Sequence, residues 1–276
     1  SINSFVRNGD NLLFFFSYNC YIQDRLVLKM RGGCAGFFTD EQLEDGNGLV
    51  YSSDEIKARQ NVKKPQFTPL LKTSKTSFSI EELRHLINGD IEKCFGNESY
   101  YANGRNKSLI LAPEKILMID RITSVDLTGG AFGLGYIVAE KDLTKDDWYF
   151  PCHFRDDEVL AGSLQAEGGG NLLRFFMLML GLQRLTKDAR YQPIFDLPQK
   201  VRCRKQVVPG KDTKLIYKLE IKEIGLVPNP YVIGDLEIIS DGIITVHFEN
   251  LGLQLREKDN PKYHALISRF KEKTGC

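Results

Sequence analysis

The chain has 276 residues, 42% of them hydrophobic and 26% charged, with a formal net charge of +1. Its length suits one large domain or two small ones, and its composition is that of an ordinary globular protein. The near-neutral balance, without a basic stripe and interleaved aromatics, excludes a nucleic-acid-binding footprint, and apolar runs no longer than residues 12–16 and 175–180 exclude a bilayer-spanning helix.

In chain order, residues 12–30 are dense in Phe, Tyr, Val, Ile and Leu and break at Gln23-Asp24, which predicts a β-hairpin. Gly32-Gly33 and Gly36 punctuate a further strand ending near Phe38. Residues 61–77, rich in Lys, Pro, Thr and Ser, read as a linker. A helix follows: Ser79 and Glu82 have capping-box spacing, Phe78 and Leu83 have staple spacing, and the run extends to about Cys94. A polar loop through Gly96, Asn97, Asn103, Gly104 and Asn106 leads to residue 109. Residues 116–125 and 131–139 then read as strands around Thr128-Gly129-Gly130. Residues 163–182 are apolar nearly all round, the mark of a buried helix. Strands are predicted over 201–207, 213–224, 231–239 and 243–255, with Ser240-Asp241-Gly242 as a hairpin turn. A buried helix followed by antiparallel strands is an α+β plan in which the sheet wraps the helix. Residues 258–276 read as a charged tail with room for a short helix.

The chemistry concentrates between Trp148 and Arg174. His153 ends the stretch begun by Trp148-Tyr149-Phe150, a turn follows, and Gly162-Ser163 opens the apolar helix, with Glu167 in its first turns. A base, a helix N-terminus with free N–H groups and a carboxyl group in this order suit proton transfer beside a carbonyl. Glu167, Asn171 and Arg174 fall at i, i+4, i+7 and so share one face. Two readings of Glu167 stay open. Burial would raise its pKa and equip it as a general acid, or it forms a structural pair with Arg174 or Asn171, since a buried carboxylate must be paired or protonated. Gly168, Gly169 and Gly170 each cost up to about 1 kcal/mol in a helix against Ala, a cost that makes sense where something approaches the backbone closely.

Cys152 reads as a small buried hydrophobe rather than a nucleophile. Ser163 stands outside any GxSxG pattern and reads as the helix N-cap. His85, His247 and His264 share no spacing and read as structural or surface residues. The run Lys200-Val201-Arg202-Cys203-Arg204-Lys205 alternates as a solvated strand face, with steering of an acidic carrier protein as the alternative. The six cysteines lack CxxC and metal-ligand spacing, which predicts reduced thiols, a cytoplasmic setting and no metal.

The stretch around His153 resembles the hot-dog-fold 3-hydroxyacyl-thioester dehydratases. The branch it matches includes bacterial 3-hydroxydecanoyl-carrier-protein dehydratase/isomerase and the dehydratase domains of polyunsaturated fatty acid synthases. That family reads Cys-His-Phe, a short turn with Asp-Pro, Met-Pro-Gly-Ser/Cys-Leu, then Asp or Glu followed by Ala. Cys152-His153-Phe154, Asp157, Gly162-Ser163-Leu164 and Glu167 follow the pattern, while Glu158, Leu160-Ala161 and Gly168 stand where it has Pro, Met-Pro and Ala. Met118-Ile119-Asp120-Arg121-Ile122, Gly129-Gly130 and Gly135-Tyr136 match the entry strands, so the resemblance spans residues 111–256.

The resemblance implies a hot-dog fold with His153 as the base that removes the α-proton and the Gly162 N–H as the oxyanion donor. It makes Glu167 the acid that protonates the departing hydroxyl, Asn171 its orienter, and Ser163 and Phe154 substrate contacts. The implied reaction dehydrates 3-hydroxyacyl thioesters, carried on the phosphopantetheine of an acyl carrier protein, to trans-2-enoyl thioesters, with no metal or organic cofactor. A hot-dog thioesterase and a non-catalytic hot dog of a megasynthase stay as alternatives. In this family the base and the acid of one site come from opposite units. One complete unit here therefore predicts a homodimer, or a double hot dog completed within a larger synthase. The expected organisation is 1–62 as incomplete N-terminal hot-dog-like strands, 63–108 as a linker with a short helix, 109–257 as the catalytic hot dog and 258–276 as a tail. A start at Ser1 that enters strand-like sequence at once suggests a domain cut from a longer polypeptide.

Overall fold

The computed structural model describes residues 1–9, 11–101, 106 and 108–258. The described residues form two compact units, Ser1–Gly46 and Asn47–Lys258. The expected tail beyond Lys258, with His264 and Cys276, lies outside the described residues.

The first unit is a three-stranded antiparallel sheet of β1 (Ile2–Asn8), β2 (Asn11–Ile22) and β3 (Arg25–Phe37). The expected turn is present, with Gln23 in the left-handed region at φ 54°. The further strand expected after Met30 is continuous with the hairpin, because β3 absorbs its glycines in an irregularity opposite Phe16 and Tyr18. Gly33 is needed there: a Cβ would come within 2.6 Å of the Phe16 ring. Phe5, Phe14, Phe16, Tyr18 and Phe37 form one chain of ring contacts on this sheet. A short helix, α1 (Asp40–Glu44), follows on a Thr39–Gln42 capping box.

In the second unit, helix α2 (Ser53–Gln60) starts from a Ser52–Glu55 capping box and buries no residue. Its segment is bound by polar groups instead, and residues 47–62 belong with this unit rather than with the N-terminal strands. The stretch expected to be a linker supplies core. Its first helix, α3 (Ile80–Ile87), carries the expected Ser79–Glu82 capping box but stops at Asn88-Gly89, where Gly89 takes φ 81°, and α4 (Ile91–Phe95) is separate. Phe78, Leu83, Leu86 and Phe95 are buried; the Phe78 ring meets Phe175 at 4.9 Å, and Tyr100 Oη donates to Met179 O at 2.8 Å. A single turn, α5 (Glu114–Leu117), leads into the sheet.

That sheet has seven antiparallel strands. They are β4 (Arg121–Asp126), β5 (Tyr136–Asp142), β6 (Ala189–Pro193), β7 (Lys200–Cys203), β8 (Lys214–Gly225), β9 (Tyr231–Ser240) and β10 (Ile243–Glu257). Their order is β4-β5-β8-β9-β10-β6, with β7 also pairing β10. Strand β6 has no counterpart in the sequence pattern, and β7 is shorter than expected. Asp241 and Gly242, at φ 50° and 77°, make the tight turn between β9 and β10. Inside the sheet lies the 18-residue helix α6 (Gly162–Met179), buried continuously from Asn171 to Leu173 and again from Phe175 to Met179. This α+β arrangement is the hot-dog fold. No helix among the described residues is long and apolar enough to cross a membrane.

The three helical glycines divide by neighbour. A Cβ on Gly168 would stand 2.7 Å from the Tyr217 ring and one on Gly169 would stand 2.1 Å from Leu236 Cδ2, whereas one on Gly170 would touch nothing within 4 Å. The close approach expected of this run is therefore made at two positions by side chains of β8 and β9.

Candidate active site

The turn carrying His153 is anchored from behind. Tyr149 and Phe150 are buried, residues Phe150–Cys152 form a 3-10 turn, and His153 N–H donates to Phe150 O at 3.1 Å. The turn closes on itself through Val159 N–H to His153 O at 2.8 Å, with Asp156 in the left-handed region at φ 62°. The ring is half-buried and its Nδ1 lies 3.2 Å from Val159 O. A carbonyl oxygen only accepts, so Nδ1 carries a proton, and in the neutral tautomer that this bond selects, the lone pair lies on Nε2. The Phe154 ring stacks on the imidazole at 3.9 Å and is 57% exposed, so it is open to a ligand.

Helix α6 begins at Gly162, past the close of this turn. Its N-cap is Ala161, which offers no side-chain bond; the first intrahelical bonds are those of the Leu164 and Gln165 N–H groups to Ala161 O. The N–H groups of Gly162 and Ser163 precede these and point out of the helix end. Ser163 is thus inside the helix and exposed, not its N-cap. A Cβ at Gly162 would meet only Cys203 Sγ, at an ordinary 3.7 Å. Packing does not demand glycine here, and its absence of side chain leaves the helix end accessible.

One turn deeper lies the polar face of α6. Arg174 Nη1 donates to Glu167 Oε1 at 2.8 Å and to Asn171 Oδ1 at 2.9 Å. Asn171 is fully buried; its Nδ2 donates to Leu117 O (3.2 Å), Glu167 O (3.0 Å) and Glu167 Oε1 (3.3 Å), and its Oδ1 also accepts from Ala112 N–H at 2.9 Å. Both ends of the amide are thus engaged within the protein, and its Nδ2 holds the Glu167 carboxylate. The Glu167 side chain is 33% exposed and ion-paired with Arg174, so the expected pair is present and the carboxyl group remains partly open to solvent.

His153, Gly162 and Glu167 all sit on the turn and the helix end that follow one another in the chain, yet no hydrogen bond joins His153 to Glu167 among the described residues. Cys152 is exposed rather than buried, because the 3-10 turn that seats Phe150 inward faces it outward, with Sγ donating to Trp148 O at 3.3 Å. The basic run is not a uniformly solvated face: Arg202 pairs with Glu55 at 2.9 Å and Lys205 approaches Asp212 at 3.8 Å. His247 is buried on β10, as a structural histidine. Sequence reasoning missed Val159 O, which sets the imidazole tautomer, and Cys203 beside Gly162. Neither leaves a mark, since any residue supplies a carbonyl and the Cys203 contact arises from strand placement.

Residues 111–249 match the family model of the FabA-like domain. Over 237 residues, 84% of this chain, the sequence is 44% identical to a polyunsaturated fatty acid synthase subunit of Thraustochytrium sp. (strain ATCC 26185 / S-3). The chain spans 16% of the length of that relative. Among solved structures, the E. coli PaaI protein of the phenylacetic acid degradation operon aligns with a TM-score of 0.34 at 12% identity, covering 51% of this chain and 82% of that one. S. sahachiroi AziG aligns with a TM-score of 0.36 at 13% identity, covering 53% and 98%.

Proposed function

The chain belongs to the FabA-like domain family, and from that premise we propose that it dehydrates 3-hydroxyacyl thioesters to trans-2-enoyl thioesters in fatty acid, polyunsaturated fatty acid or polyketide synthesis. The observation that carries this reading is the anchored imidazole, whose Nδ1 bond to Val159 O leaves Nε2 as the base. In the proposed reaction Nε2 takes the proton from the carbon next to the thioester carbonyl. The oxygen of that carbonyl gains charge and is met by the Gly162 N–H and the positive end of α6. Glu167 delivers a proton to the hydroxyl on the next carbon, which leaves as water. Ser163 and Phe154 flank the entry, and the substrate is expected on the phosphopantetheine arm of an acyl carrier protein. The protein groups named suffice for each proton transfer, without metal or organic cofactor.

His153 and Glu167 are held by separate partners in one chain. As the resemblance to the hot-dog dehydratases implies, the working site is assigned to two copies of the unit, His153 from one and Glu167 from the other, in a homodimer or in a longer synthase that carries a second unit. The test is product analysis with a 3-hydroxyacyl thioester, run also as hydration of the enoyl thioester. His153→Ala and Glu167→Gln should each lower turnover by at least about 10²-fold, the low end for general acid–base catalysis. Mixing the two inactive variants should restore part of the activity, because hybrid pairs hold one intact site. Near-normal turnover in either variant, or release of free thiol instead of the enoyl product, would reject the assignment.

A further inference from the structure

We propose that Arg174 is a positioning residue that selects which oxygen of Glu167 meets the substrate. The inference rests on the dehydratase reading and adds a residue that lies outside the motif on which the family resemblance stands. A single nitrogen, Nη1, donates to both Glu167 Oε1 and Asn171 Oδ1. The second bond to the carboxylate, from Asn171 Nδ2, also ends on Oε1. Among the described residues Oε2 receives no hydrogen bond.

The clamp has little freedom. Asn171 is held at both ends of its amide by Ala112 N–H and Leu117 O, groups from the segment that packs beside α6. The guanidinium also lies over the Tyr191 ring, 5.8 Å from its centroid, a further contact that holds it. A Glu terminal torsion is broad and two-fold, so an unclamped carboxyl presents either oxygen over a range of angles. Pinned at Oε1 by two donors on the same helix face, it presents Oε2 alone.

The proton balance follows. Oε2 gives its proton to the departing hydroxyl oxygen, the carbon–oxygen bond breaks, and water forms. The α-proton passes to His153 Nε2 and its electron pair becomes the new double bond. Negative charge then appears on Glu167 beside a guanidinium already in position, with no reorganisation required at the moment of transfer. The proton on the imidazole returns to Glu167 through solvent and resets the pair.

The experiment compares the 276-residue chain with Arg174→Ala, Arg174→Lys and Glu167→Gln, using a 3-hydroxyacyl N-acetylcysteamine thioester. Arg174→Ala should lower kcat by about 10- to 100-fold, the size seen when an outer partner of an active group is removed, with KM nearly unchanged because the lost interaction acts in the transition state. Added guanidinium chloride, at concentrations below those that unfold the protein, should restore part of kcat in Arg174→Ala and none in Glu167→Gln. Arg174→Lys, which keeps the charge but not the planar fork, should fall between the two and serves if the alanine variant does not fold. An unchanged kcat, a loss spread into KM alone, or a loss that guanidinium leaves in place would overturn the role of Arg174. An inactive wild type would instead overturn the dehydratase reading, so the two failures are distinct.

Discussion

The two faces of the seven-stranded sheet are held by opposite means. On the inner face, Tyr217 and Leu236 press into α6 where Gly168 and Gly169 leave room, and the contact is apolar and close. On the outer face, residues of the same strands turn the other way: Glu220 pairs with Arg59 at 2.6 Å and Glu237 accepts from Tyr51 Oη at 2.6 Å. Arg202 joins Glu55 to His247 on that face, and Tyr51 sets its ring edge-on to the imidazole. One strand thus serves a volume-limited contact on one side and a charge-limited contact on the other. The inner face should respond to the size of a substitution and the outer face to charge and pH.

The largest effect is expected on the inner face. Gly168→Ala puts a methyl group into the rigid Tyr217 ring and should destabilise the protein by about 1–3 kcal/mol, the usual cost of overpacking, measured by urea unfolding. Tyr217→Phe should act in the opposite sense. The Tyr217 hydroxyl is buried without a partner among the described residues, and its removal should raise stability by about 1 kcal/mol, the low end of the cost of an unsatisfied group. Gly170→Ala, on the same helix with open space around it, should gain up to about 1 kcal/mol from helix propensity. If Gly168→Ala and Gly170→Ala shift the midpoint alike, packing at Tyr217 does not limit this helix.

The smallest effect belongs to the outer face and appears only on acidification. Burial, with help from Arg202, holds the His247 pKa below its ordinary 6.5 against the pull of Asp235, Glu237 and Glu249. Arg202 Nη2 can only donate, so His247 Nδ1 accepts at 3.2 Å and the ring is neutral. The unfolded chain takes up this proton at a higher pH than the folded one. The contribution is therefore complete above about pH 6.5 and is lost as the pH falls through the lower folded value. Relative to His247→Gln, the wild type should lose stability below about pH 6.5 and run parallel above it; a constant difference from about pH 5 to 8 would remove His247 from the account.

Legibility in the sequence follows the range of the interaction. The Ser79–Glu82 box, the Asp241-Gly242 turn and the shared face of Glu167, Asn171 and Arg174 are set by spacing within a few residues, and each is readable. Gly168 and Gly169 announce a close neighbour but not its name, because Tyr217 and Leu236 arrive from strands far along the chain. Helix α2 escapes notice, since it has a capping box but no apolar stripe. Cys152 and Ser163 differ from expectation for a shared reason: both depend on where a turn ends, and a shift of one or two residues exchanges inside for outside or cap for first turn.

The polar hold on the outer face bears on where the chain can be divided. A cut between residues 62 and 63, at the change in composition, would strip Tyr51, Glu55 and Arg59 from the sheet and leave Glu220, only 5% exposed, without its cation. A cut between Gly46 and Asn47 keeps every one of these pairs on the same side. The excisable module is defined by its charges on the outside of the sheet, and its natural seam lies at Gly46, well before the point that the hydrophobic pattern suggests.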